Sequence, residues 1–350
     1  MLVTAAGRRR LGAHAGVLLA MAAVCASDGT GIGATGVMMA RFLEATAGHG
    51  GQTVRIALAG LATSHPYTDA RTLSRHAELI VWEQDPERMR RFTDEHPHAK
   101  VAGSLEELLA GRLDGVVLTV PNPQVPQALA KVLETGVACF VNKPAAASRA
   151  QLEQLDRLPI HDRVLSGSVL RFAPAFAGAG ARVDRDEVLA VRATVRHDVG
   201  IWATGYNAWQ DTPGEGGGTM VTMGIHGVEL LVALLGPDVR LVGAAGARRH
   251  YATLRSEDTG VMALRWDDGI TGTVEILGVS ESESYGVTLY KRDVTETIVI
   301  ESGDDPVRGL GYEGTVEAFL AMVGGAPSPV PWRETRAVLD VLVSAREKTA

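Results

Sequence analysis

Cysteine is nearly absent from this chain: 350 residues hold two, Cys25 and Cys139, far apart and without metal-ligand spacing. That excludes a disulfide framework and a cysteine-based zinc centre. Positive charge is not in excess, since 34 Lys and Arg face 41 Asp and Glu, for a net −7 and a pI near 5.8. No basic surface therefore asks for nucleic acid or an anionic membrane. No H-E-x-x-H segment occurs, and no metal is expected. Internal repeats are lacking, and proline is sparse at 15 residues against 40 glycines, which fits many tight strand-to-helix turns better than a low-complexity linker. What is present is ordinary for a soluble globular chain, 46% apolar and 21% charged, at a length that suits two domains.

The first fifty residues stand apart. Arg8, Arg9 and Arg10 precede the apolar run Gly16–Ala26, followed by Ser27, Asp28 and Gly29. The run is too short for a bilayer, which needs ~20 apolar residues, and the layout is that of a secretory leader with a loose twin-arginine match. The alternative is an N-terminal extension or a misassigned start, with Met38 or Met39 the true beginning and a cytoplasmic protein. Residues 1–50 are thus set aside as an extension or leader.

From Val54 to Ser168 strand and helix alternate. Apolar runs at 54–59, 78–82, 114–120, 137–141 and 163–168 predict buried parallel strands. Helices are predicted at 66–77, from Asp85 and Pro86 to about 95, from the capping-box sequence at Ser104, at 124–135 and at 148–158. The alternation predicts an α/β fold, a Rossmann-type doubly wound parallel sheet over residues 51–172, with ligands at the carboxyl ends of its strands. From about Asp186 the period changes to strand-like runs at 188–197, 240–249, 260–266, 271–277, 285–290 and 295–300, with a turn at Asp267, Asp268 and Gly269. Helices are predicted at 219–235, 312–323 and 333–347. Residues 173–350 are therefore predicted to form an α+β domain with a largely antiparallel sheet, its last helix packing back on the body.

After the first strand stand Gly60, Leu61, Ala62, Thr63, Ser64 and His65. The dinucleotide fingerprint G-x-G-x-x-[G/A] uses small residues so that backbone N–H groups and a helix N-terminus can approach a pyrophosphate. Here Ala62 fills its second position and His65 its third, so Thr63 and Ser64 are candidates to offer hydroxyls instead. Glu83 ends the second strand 23 residues beyond Gly60, the spacing of the carboxylate that bonds ribose hydroxyls, and its charge favours NAD over NADP.

Three further segments make the sequence resemble a known family. Pro121 and Asn122 follow the strand at 114–120, Asn142, Lys143 and Pro144 follow the strand at 137–141, and Gly216, Gly217 and Gly218 lead into Gly224, Ile225 and His226. With the two-domain plan, these resemble the Gfo/Idh/MocA oxidoreductases over about residues 53–350. The first turn Gly60–His65 and the segment Gly224–Glu229 are similar to a branch of that family carrying G-x-x-T-S-H and G-I-H-G-V-E. The resemblance implies NAD or NADP as cofactor, a sugar-, cyclitol- or polyol-like substrate, reversible hydride transfer, a homo-oligomer, dimer or tetramer, and for residues 173–350 the role of substrate and oligomerisation domain, its sheet open on one face.

By the same resemblance Lys143 sits beside the nicotinamide and the reacting oxygen, where its charge stabilises developing alkoxide. His226 is the natural general acid/base, because imidazole titrates near neutral pH. Two departures stand out. The family's Glu-Lys-Pro is Asn142-Lys143-Pro144 here, and Thr222 replaces the usual aspartate four residues before the histidine. Glu229, one turn beyond His226, is the candidate replacement partner. Arg171 after the strand at 163–168 and Trp209 in a Gly-rich segment with Trp202 and Tyr206 are further substrate candidates, each with a structural alternative, an ion pair for Arg171 and a gap-filling ring for Trp209. Two other functions remain in view: a dinucleotide-binding sensor that no longer turns over, and a lyase or epimerase that recycles its bound NAD.

Overall fold

A computed structural model describes residues 53–349, so the leader-like segment with its apolar run lies outside the described residues. Its first sheet is built from β1 (Arg55–Ala59), β2 (Glu78–Trp82), β3 (Lys100–Val101), β4 (Gly115–Leu118), β5 (Ala138–Val141) and β6 (Val164–Leu165). All pairs are parallel, in the order β3-β2-β1-β4-β5-β6. Every residue of β4 and β5 is buried, as expected of strands covered by helices on both faces. The intervening helices are α1 (His65–Leu73), α2 (Pro86–Glu95), α3 (Leu105–Ala110), α4 (Val125–Glu134) and α5 (Arg149–Leu155). Asp85, Ser104 and Ser148 cap three of them by accepting hydrogen bonds from backbone N–H groups two or three residues on. The strand order reverses between β1 and β4, which opens a crevice at their carboxyl ends.

After α6 (Pro174–Gly180) the second sheet comprises β7 (Ala190–Asp198), β8 (Val239–Ala247), β9 (Thr259–Trp266), β10 (Thr271–Leu277), β11 (Val279–Tyr290) and β12 (Thr295–Glu301). Its order is β12-β11-β7-β10-β9-β8, antiparallel throughout except for the central β7–β10 pair. Between β7 and β8 come α7 (Gly200–Ala203), α8 (Gly218–Thr222) and α9 (Gly224–Leu235). One face of the sheet is buried by α9, which meets the small Ala193 of β7 together with Val191 and Val195 on the same face. The other face is half open and exposes Val242, Val261 and Val299.

The sequence G-I-H-G serves this packing. A Cβ on Gly224 would stand 2.6 Å from the Met262 side chain, and one on Gly227 would stand 2.5 Å from Val274. Both glycines let the helix lie close on the sheet and so fix the height of His226 above it. The run Gly218–Leu235 is long and apolar enough, by composition, to cross a bilayer, yet 89% of it is buried inside the protein.

The chain ends with α10 (Pro306–Gly309), α11 (Tyr312–Val323) and α12 (Trp332–Thr349). Phe319 of α11 packs against Phe140 of β5 with ring centroids 6.3 Å apart. Leu339 and Val343 of α12 enter the core on the other side of the first sheet, and Arg149 of α5 pairs with Asp340 and Glu347 of α12. Two predicted elements differ, and one strand goes unpredicted. The helix at 219–235 is broken at Met223 into α8 and α9, the strand at 163–168 shrinks to two residues, and the two-residue β3 carries no apolar signal because both its residues are exposed.

Candidate active site

The first turn leaves β1 at Gly60, whose φ of +91° no side chain adopts comfortably. A Cβ there would also lie 2.5 Å from the carbonyl oxygen of Thr119, so the backbone of β1 is held against the end of β4. Gly60, Glu83 and Pro121 line one cleft with Trp82, Asp85 and Arg88. Glu83 is anchored in it: one carboxylate oxygen accepts from the N–H of Leu61 at 2.5 Å, the other from that of Asp85 at 2.9 Å. Arg88, which no motif flags, donates to Asn207 at 3.0 Å and lies 3.7 Å from Asp85. Asn122, next to Pro121, is buried and donates to the carbonyl of Pro144 at 2.5 Å, which ties the ends of β4 and β5 together. Small backbone at Gly60, an acid after β2 and a crevice at the strand reversal fit the adenosine half of a dinucleotide.

A second, larger cavity of about 460 Å³ adjoins the turn and is lined by Thr63, Ser64, His65, Lys143 and His226. Lys143 follows β5, and its backbone N–H is held by the Asn142 side chain at 2.9 Å. Its Nζ donates to the carbonyl of Thr222 at 3.2 Å and lies 3.0 Å from Nε2 of His226. On the far side of the ring, Nδ1 of His226 is 2.6 Å from the hydroxyl of Ser168. His226 is 5% exposed, and burial, then the neighbouring Lys143, hold its pKa well below the usual histidine range. Burial likewise pushes the lysine down to about 8, against a raising effect of Glu283. A neutral ring that accepts from Lys143 at Nε2 carries its hydrogen on Nδ1 and donates it to Ser168. Lysine then has one hydrogen each on Thr222 and His226, and a third for the cavity.

The opposite wall is polar and aromatic. Glu283 accepts from the Tyr285 hydroxyl at 2.5 Å and lies 3.8 Å from His197, while Asp198, Trp202, Tyr206 and Asn207 complete the rim.

The structure places the remaining candidates elsewhere. Glu229 does not reach His226. It is 1% exposed, with a carboxylate oxygen 3.4 Å from Arg171, which in turn pairs with Glu334 of α12 at 2.7 Å. Burial raises the Glu229 carboxyl to about 7 in spite of Arg171. Ser168 takes the partner role instead, because it ends the short segment after β6 beside the His226 ring. The Thr222 hydroxyl donates back to the carbonyl of Gly218 in its own helix, so only its main-chain oxygen serves the site. Trp209 is outside the cavity wall, whereas Trp202 and Tyr206 are in it. Sequence reasoning misses Ser168, Glu283 and Tyr285. A serine closing the last parallel strand is the one local signal, and the other two lie in a strand whose sequence alternates without a motif.

Arg171→Met is expected to leave Glu229 buried without its cation, at a cost of about 3–5 kcal/mol. A carboxyl whose folded pKa lies above its unfolded one binds its proton more tightly when folded, so its burden grows as pH rises from about 4.5 toward 7. Urea unfolding of the variant should therefore show a larger deficit at pH 8 than at pH 5; equal deficits would mean that Glu229 is not the group exposed to loss.

Comparison with known proteins identifies the fold and the family. Residues 54–163 match the oxidoreductase family with an NAD-binding Rossmann fold, and residues 186–294 match the GFO/IDH/MocA C-terminal domain. A myo-inositol dehydrogenase, Hyg17, of Streptomyces leeuwenhoekii is 24% identical over 295 residues, 76% of this chain and 88% of its own length. The scyllo-inositol 2-dehydrogenase (NAD(+)) of Bacillus subtilis is 25% identical over 236 residues, 64% of this chain and 63% of its own. Among solved structures, GenD2 from gentamicin A biosynthesis, in complex with NAD, superposes with a TM-score of 0.73 at 21% identity, covering 85% of this chain and 94% of that one. A myo-inositol dehydrogenase from Corynebacterium glutamicum does so at 0.69 and 18%, covering 85% and 97%. With both of its characteristic domains matched in order, and the dinucleotide crevice built as the fold requires, the chain belongs to the Gfo/Idh/MocA oxidoreductase family.

Proposed function

We propose that the protein is an NAD-preferring dehydrogenase that interconverts a hydroxyl and a keto group on a cyclitol- or sugar-like substrate. The observation that carries this is the 3.0 Å contact between Lys143 Nζ and His226 Nε2 in the cavity next to the dinucleotide crevice. The nicotinamide, when bound, accepts or returns hydride; the protein supplies position and proton movement. Glu83 and Gly60 would hold the adenosine half, with Thr63 and Ser64 toward the phosphates. Lys143 polarises the substrate oxygen and takes its proton in oxidation, and His226 shares that proton across the contact. Ser168 keeps the ring in register. Carboxylates at Asp198 and Glu283 and the rings of Trp202 and Tyr206 suit a substrate with many hydroxyls and an apolar ring face. The inositol dehydrogenases among the relatives support the same substrate class.

A paired lysine and histidine in an open cavity favour an enzyme over a sensor that only binds the dinucleotide. Calorimetric titration with NAD and NADP, followed by turnover with myo-inositol, scyllo-inositol and a panel of sugars, tests the reading. NAD should bind at least tenfold tighter than NADP, a difference of about 1.4 kcal/mol, because Glu83 repels a 2′-phosphate and Arg88 is already paired with Asp85 and Asn207. Glu83→Gln should narrow that ratio. Binding of neither dinucleotide, or binding without turnover on any polyol, overturns the dehydrogenase.

A further inference from the structure

One wall of the cavity is a loop of the second domain, residues 200–210, which supplies Ile201, Trp202, Tyr206, Asn207 and Gln210 to the lining. Both ends of the loop are rooted in its own domain. Val199 donates its N–H to the carbonyl of Gly278 at 2.8 Å, and the buried Asp211 accepts from the N–H groups of Arg255 and Ser256 at 2.7 and 2.9 Å. The Trp202 indole N–H donates to the Gln210 side chain at 3.1 Å and braces the loop across its middle. The tip reaches the other way. Asn207 is the one non-glycine residue among the described residues with a positive φ, +49°, a conformation that asparagine tolerates better than most residue types. Its side-chain oxygen accepts from Arg88 of α2 at 3.0 Å, and among the described residues this is the one hydrogen bond that joins the loop to the first domain.

Arg88 belongs at the same time to the other site. It lines the dinucleotide crevice with Gly60, Glu83 and Asp85, and its helix starts there: Glu83 holds the N–H of Asp85, and Asp85 caps the N–H groups of Glu87 and Arg88. One side chain is therefore both a wall of the crevice and the tether of the cavity's loop. Its Nε lies 3.7 Å from the Asp85 carboxylate, beyond hydrogen-bond distance, which leaves Asn207 as its one side-chain acceptor among the described residues. The Arg88 side chain is 27% exposed, so water competes for its N–H groups. A ligand that fills the crevice displaces that water, and a hydrogen bond gains strength as its surroundings lose polarity.

We propose that Arg88 is a positioning residue that couples the two sites: a dinucleotide in the crevice strengthens the Arg88–Asn207 hydrogen bond, which holds residues 200–210 over the cavity and so sets Trp202 and Tyr206 for the polyol. The coupling rests on the dinucleotide half of the reading above. The loop is the element with two arrangements, tethered to α2 or released from it, and the crevice biases the choice. Coupling between two binding sites is reciprocal, so a substrate that orders the loop tightens the dinucleotide by the same factor.

The test is hydrogen–deuterium exchange of the full chain, read by mass spectrometry with and without ADP at a concentration that calorimetry shows to be saturating for each variant. ADP carries the adenosine half and no nicotinamide, so it acts on the loop through the crevice. In the wild type ADP should slow exchange at the first turn, Gly60–His65, and also in residues 200–210, there by about tenfold, within the usual range of coupling between sites. Arg88→Met should keep the protection of the first turn and lose that of the loop. Asn207→Gly, which keeps the positive φ and removes the acceptor, should do the same from the other side of the bond. Asn207→Asp keeps both the φ and an acceptor oxygen, and should retain protection of both segments. ADP that protects the first turn and leaves 200–210 unmoved overturns the coupling and leaves the dehydrogenase standing. So does loop protection that survives in Arg88→Met and Asn207→Gly. Protection of neither segment by ADP or by NAD removes the dinucleotide site, and the coupling with it.

Discussion

Lys143→Met is expected to lower kcat by about 10²–10³, the loss typical of removing one preorganised donor from a developing oxyanion. Methionine keeps most of the side-chain volume, so the cavity wall survives while the charge and all three donors go. The pH profile should change with it. A lysine depressed to about 8 is largely protonated at pH 6 and largely neutral at pH 10. Oxidation needs the neutral form as proton acceptor, so the wild-type rate of oxidation should rise through about pH 8, and the rate of reduction should fall through the same value. Both limbs should vanish in the variant. Steady-state rates in the two directions from pH 6 to 10 check this; a variant retaining wild-type kcat, or the same limbs, would remove Lys143 from the chemistry.

His226→Gln should cost about 10²–10⁴ in kcat, the range for a positioned proton-transfer group. Glutamine can still hydrogen-bond to Lys143 but cannot pass a proton between its two ends, so what is lost is the shared proton rather than the contact. Ser168→Ala separates orientation from chemistry. It removes the 2.6 Å partner of Nδ1 and should slow turnover by up to about tenfold, the worth of one neutral hydrogen bond. Glu229→Gln supplies the control: its carboxylate pairs with Arg171 and not with the ring, so turnover and its pH profile should stay put while stability moves. A pH profile altered by Glu229→Gln and unaltered by Ser168→Ala would exchange the two roles.

Much of this is legible in the order of residues, for physical reasons that differ from place to place. Buried parallel strands such as β4 and β5 are continuous apolar runs, and caps such as Ser104 and Asp85 announce their helices. Gly60 and Glu83 mark the crevice because backbone approach and ribose recognition each tolerate few residue types. Lys143 and His226 stand out through the motifs around them, and the glycines beside His226 turn out to set its height over the second sheet. Contacts made by chance of packing leave no trace in the sequence. Nothing local says that Ser168 rather than Glu229 meets the histidine, and only the pull of Arg171 decides. Glu283 and Tyr285 reach the cavity from β11, a strand in which a functional acid looks like any solvent-facing one. Thr222 misleads in the opposite direction: its hydroxyl closes on its own helix, and the part that matters is a carbonyl that any residue would supply.

The last two helices give the molecule an unusual order of completion. The first sheet leaves the ribosome early, yet Val316, Phe319 and Leu320 of α11 fill one of its faces and Leu339 and Val343 of α12 the other. Domains are generally able to fold as their residues emerge, the N-terminal one first. Here α1–α5 cover part of each face as they are made, but neither face is complete until α11 and α12 have followed the whole second sheet. The dinucleotide domain is thus discontinuous in the sequence, and the core beneath its crevice closes only once the second domain has been made.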